Sequence, residues 1–164
     1  MSNNYLMLNG RRIDLTNEQL KQLRIGIEEK RKNPFEKVTA GDEYYFINIA
    51  GYTQCDNCED NALLKACNYF NDESFAQQIA LHQLVYRKLL KFGYDNECVD
   101  NQIWGANGIE HWHIGYDFEK CIFYADWVSD YKYNDVYFST KEDAERAIKE
   151  VVEPFMKEHP EFVW

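Results

Sequence analysis

The chain has 164 residues, 45% of them hydrophobic and 16% aromatic; the length suits one domain and the apolar content excludes wholesale disorder. Asp and Glu number 28 against 18 Lys and Arg, a formal charge of −10 that repels nucleic acid and anionic lipid and favours basic partners. No apolar run approaches the roughly 18 residues of a membrane span. The opening MSNNYLMLNGRR lacks the order of a signal peptide, so a cytoplasmic protein whose five cysteines are thiols or metal ligands is expected.

The charge is unevenly placed. Residues 1–37 carry eight basic and five acidic groups, leaving ten basic and 23 acidic groups, or −13, in residues 38–164. Within the first segment, Tyr5-Leu6-Met7-Leu8 and Arg11-Arg12-Ile13-Asp14-Leu15 flank Asn9-Gly10, a pair that tolerates the positive φ of a tight hairpin turn. Thr16 with Gln19 forms a capping box, and Leu20, Leu23 and Ile27 recur at helical spacing until Asn33-Pro34 stops them. Residues 1–32 are therefore expected to be a ββα arm, and residues 33–164 an acidic body.

The body repeats itself at an offset of 68. Tyr44-Tyr45-Phe46-Ile47 falls on Trp112-His113-Ile114-Gly115, Asn68–Asp72 on Val136–Thr140, and Ala76 on Ala144. Helical patterning covers 74–92 and 141–157. Asn71 or Asp72 would cap the first helix and a Ser139/Glu142 box the second, with Pro154 bending or stopping the latter. The expected fold is α+β: two pseudo-repeated hairpin, strand and helix units, about 41–92 and 110–157, sharing an antiparallel sheet and one core. Residues 93–110, rich in Gly, Asn and Asp, link the units as a crossover or offer a contact surface. Phe155, Phe162 and Trp164 would either dock the end of the chain on the body or anchor a partner.

Cys55-Asp56-Asn57-Cys58 is the local motif with chemical content. A C-x-x-C turn offers two thiolates to zinc, and Cys67 or one of Cys98, His111 and His113 would complete four ligands. The candidate set is Cys55, Cys58, Cys67 and His113, holding structural zinc. His111 and His113, two apart on a strand, share a face. Cys67 and Cys121 lie in strand-like sequence and read as buried apolar residues. There is no G-x-x-x-x-G-K and no G-x-G-x-x-G, no acid–base pair can be nominated, and no catalytic residue is expected.

The strings Ala66–Asp72, Ala80–Leu90, Val136–Ile148, Glu150–Phe155 and Glu158–Trp164 resemble a group of small acidic proteins from prophages and mobile elements of gut Firmicutes, over roughly residues 33–164. The resemblance supplies no catalytic residues. It implies a dispensable phage gene acting in a bacterial cytoplasm, and inhibitors of host defence are common among such products. The leading expectation is an anti-CRISPR protein whose acidic surface binds an RNA-guided nuclease and blocks its nucleic-acid channel. By charge density the contacts would be Asp56, Glu59 and Asp60, with Asp126, Asp130 and Asp135. The alternatives are a phage structural or replication accessory protein and a metal-dependent hydrolase.

Overall fold

Tyr5–Leu8 (β1) and Arg11–Asp14 (β2) pair antiparallel with Leu8 opposite Arg11, so two residues join them, as Asn9-Gly10 requires. The computed structural model describes residues 5–8, 11–16, 33–39, 42–55, 61–105 and 108–164. The helix expected between the Thr16 cap and Asn33-Pro34 lies outside them.

The first unit begins with Tyr44–Asn48 (β3) and Gly51–Cys55 (β4), again antiparallel. A short helix, Asn61–Lys65 (α1), returns the chain to this hairpin. There the Tyr45 and Phe70 backbones exchange hydrogen bonds of 2.8 and 2.9 Å. The Asn68 side chain locks the register by accepting from Ile47 N–H and donating to Ile47 O. Asp72 then caps the 23-residue helix Glu73–Asp95 (α2), its Oδ1 accepting from Phe75 N–H at 2.8 Å.

The second unit follows the same plan. His111–Asp117 (β5) and Ile122–Val128 (β6) form a hairpin, and Phe138 N–H donates to Trp112 O at 2.7 Å. Thr140, 68 residues after Asp72, caps the helix Lys141–Ala147 (α3) by accepting from Asp143 N–H. This corrects the expected Ser139/Glu142 box: the Ser139 hydroxyl is committed to Val99 O at 3.1 Å, which leaves the cap to its neighbour.

A second correction concerns register. Trp112 occupies the bridging place that Tyr45 holds in the first unit, so the hairpins correspond one residue short of the offset that relates the helices. A one-residue slip exchanges the two faces of a strand. Tyr44 thus corresponds to His111, and both are buried.

The α+β class is as expected. The named strands, however, form separate two-stranded ribbons rather than one shared sheet; among the described residues each body hairpin is extended by an isolated bridge, Tyr45 to Phe70 and Trp112 to Phe138, the latter continued by a bridge from Phe138 to Val99. What the units share is α2. Near its start, Phe75 meets Phe70 and Phe35 at ring separations of 5.7 and 5.5 Å. From Leu81 onward, Val85, Leu89 and Phe92 enter the main core with Ile114, Phe138, Ala147 and Phe155.

Pro154 does not end the last helix. A π turn, Ile148–Val152, follows α3 and leads into Glu153–Glu158 (α4), with Glu153 N–H reaching back five residues to Ile148 O. Proline lacks an N–H and crowds the carbonyl four residues earlier, and the wider turn sits immediately before it. The chain then docks on the body. Phe162 is buried, Gln78 donates to Glu161 O at 2.7 Å and accepts from Val163 N–H at 3.0 Å, and Trp164 meets Phe123 edge-on at 4.9 Å. Among the described residues no helix is long and apolar enough to cross a membrane.

Candidate interaction surface on the second hairpin

Alternation along β5 and β6 divides their side chains between two faces. Trp112, Ile114, Phe123 and Ala125 join the core. His111, His113 and Gly115 take the opposite face, with Val128, Asp126 and Tyr124 directly across from them. The two histidines therefore share a face, as their spacing predicts.

The His111 end is closed. His111 is 0% exposed, and its Nδ1 bonds Asp100 Oδ2, in a carboxylate 1% exposed. Trp104 lies flat on the imidazole, ring centroids 3.7 Å apart and planes 8° from parallel, while the Tyr137 ring meets it edge-on. Asp100 is itself held, accepting from Gln102 N–H through Oδ1 and donating its own N–H to Tyr137 O. Among the described residues His111 Nε2 has no hydrogen-bond partner. The segment 96–110 is thus more than a crossover: Val99 bridges to Phe138, and Asp100 and Trp104 enclose a histidine.

Further along the same face the surface opens. His113 Nδ1 is 3.0 Å from Asp135 Oδ2, and Asp135 Oδ1 accepts from Val136 N–H, so this carboxylate is committed within the fold. Asp126, opposite His113, uses Oδ1 on Trp127 N–H. Tyr133 sits 6.0 Å from the His113 ring and donates its N–H to Tyr137 Oη. Burial pushes the Tyr137 hydroxyl pKa up from its ordinary value. Tyr124 lies across Gly115: a Cβ there would fall 2.7 Å from Tyr124 Cζ, so glycine is what lets the ring settle on the strand.

Of the acidic residues singled out by charge density, Asp130 is exposed, Asp126 is half-buried and Asp135 is tied to His113. Asp56, Glu59 and Asp60 lie outside the described residues. Asp100, Trp104 and Tyr133 escaped sequence reasoning, and Tyr137 entered it only as part of the repeat; the one signal for Asp100 and Trp104 was the length of the 93–110 loop.

Among the described residues the candidate zinc ligands Cys55, Cys67 and His113 are not grouped to hold an ion. Cys55 is disulfide-bonded, contrary to the expectation of thiols or metal ligands, and Cys58 lies outside the described residues. C-x-x-C spacing suits either a disulfide or a metal, and the argument from cellular compartment weighs surroundings rather than geometry. Cys67 is exposed after α1, and His113 faces Asp135. Among the described residues no three His, Cys, Asp or Glu groups are placed to hold a metal ion. Cys67 and Cys121 also depart from the buried-strand expectation. Both are exposed at φ of 52° and 54°, one following a helix and the other ending the β5–β6 turn, while Cys98 is the buried thiol.

Beside this surface a cleft of about 520 Å³ runs between α2 and residues 134–135, lined by His82, Tyr86, Arg87, Asp135 and Trp164. Burial lowers the pKa of His82, whose ring packs edge-on against Phe162 at 4.7 Å. No family model, curated protein or solved structure matches the chain.

Proposed function

We propose that the chain is a phage-encoded inhibitor of a bacterial defence system, an anti-CRISPR protein that docks without catalysis on an RNA-guided nuclease and competes for its basic nucleic-acid channel. Such channels are lined with Lys and Arg to hold a heteroduplex backbone, and a stiff acidic body is complementary to them. The observation that carries the reading is the surplus of uncommitted carboxylates on a body of −13. Among the described residues Glu97, Glu110, Glu119, Asp130, Glu142 and Glu150 are exposed and form no ion pair. The resemblance to prophage proteins supplies the bacterial cytoplasm as the setting.

The test is a pull-down with purified RNA-guided nucleases at low and high salt, paired with DNA-loading assays. Raising ionic strength from about 0.1 M to about 1 M shortens the Debye length from about 10 Å to about 3 Å, so carboxylate-steered binding weakens sharply. Failure to retain any such nuclease at low salt refutes the proposal. Retention that ignores salt refutes the electrostatic basis and favours an assembly contact instead.

A further inference from the structure

We infer that the open part of the second hairpin's outer face is an arginine-recognition surface, and that the partner segment it takes is arginine-rich rather than merely basic. The inference rests on the docking role proposed above and narrows its partner.

The surface is continuous. Tyr124 lies over Gly115, Asp126 and His113 form the next cross-strand pair on that face, and Tyr133 follows 6.0 Å from His113. Its rings are open to solvent: Tyr124 is 42% exposed, Tyr133 56%, and neighbouring Tyr131 71%. A carboxylate lies between them: Asp126, across from His113, bonds the backbone through Oδ1, while Asp130, two residues beyond β6, is exposed and among the described residues forms no ion pair.

Each simpler partner fits worse. An apolar surface would desolvate Asp126 without compensation. A nucleic acid or other polyanion is repelled. Lysine satisfies the carboxylates as a compact point charge but leaves the ring faces poorly used. A guanidinium stacks on tyrosine and donates to a carboxylate at the same time. The chain employs this mode internally, with Arg12 placed 4.3 Å over the Tyr5 ring and Arg146 5.2 Å over Phe92. Among the described residues no cation of the chain covers Tyr124, Tyr131 or Tyr133, and nearby Lys132 is turned onto Trp104 instead.

The experiment titrates the full chain with octa-arginine and octa-lysine peptides at low salt, followed by calorimetry. Octa-arginine is expected to bind about tenfold more tightly, from stacking on two rings. The double variant Tyr124→Ala/Tyr133→Ala, both exposed positions, brings the ratio close to one. Tyr94→Ala, exposed on α2, leaves it unchanged. Equal, salt-sensitive affinities for the two peptides overturn this inference and leave the acidic docking role standing. An arginine preference that survives the double substitution overturns it as well. Binding of neither peptide removes both readings, while an arginine preference in a chain that retains no nuclease keeps this inference and removes that target.

Discussion

Replacing Asp100 with Ala removes the acceptor of His111 Nδ1 from a ring with no solvent contact and, among the described residues, no partner at Nε2. A hydrogen bond to a charged group is worth about 1.5–3 kcal/mol, and a buried group left unsatisfied costs about 1–3 kcal/mol more. The substitution is therefore expected to cost about 3 kcal/mol, or about 6–12 °C in Tm for a chain of this size. His111→Phe keeps a flat ring beneath Trp104 but abandons a carboxylate only 1% exposed, a loss of about 3–5 kcal/mol. In the double variant neither polar group is stranded, and Trp104 still has a ring to stack on. It should be more stable than either single variant, with a coupling of about 2 kcal/mol or more in a double-mutant cycle. Urea unfolding of the four proteins measures this. Costs that simply add, or a single-variant loss below about 1 kcal/mol, would show that the pair does not act as one buried unit.

Two further outcomes follow from local geometry. Thr140→Ala should cost about 1 kcal/mol in urea unfolding because it removes the acceptor of Asp143 N–H, whereas Glu142→Ala should be close to neutral; the reverse ranking would restore the Ser139/Glu142 box. Under native conditions a thiol reagent should modify Cys67 and Cys121 quickly and Cys98 only on unfolding, since Cys98 is buried and that burial raises its thiol pKa. Peptide mapping of the modified sites reads this out, and fast labelling of Cys98 would contradict the packing of its loop.

The elements whose signals are local could be read from the chain. Asn9-Gly10 set a two-residue link, the patterning over 74–92 set a long helix, and Asp72 was one of two caps offered for it, whereas the second cap falls on Thr140 rather than the expected Ser139. Register was hidden because Tyr44-Tyr45-Phe46-Ile47 is apolar at every position, so period-two alternation assigns no face. The difference between Tyr45 and Trp112 as bridging residues is visible only once Phe70 and Phe138 are seen beside them. The Asp100–His111 pair was equally illegible, since it joins a loop without periodicity to a strand 11 residues later. Asp135 was chosen for its charge, but charge density does not reveal that His113 already occupies it.

Because α2 is a single rod with Phe75 at one repeat and Leu81 to Phe92 beneath the other, the halves cannot be parted like beads on a string. A chain severed after Asp95 would leave Val85, Leu89 and Phe92 facing water, while the remainder lost the floor under Phe138 and Phe155. With one rod under both hairpins, the two units are expected to melt in a single transition, so that a lesion in either destabilises both.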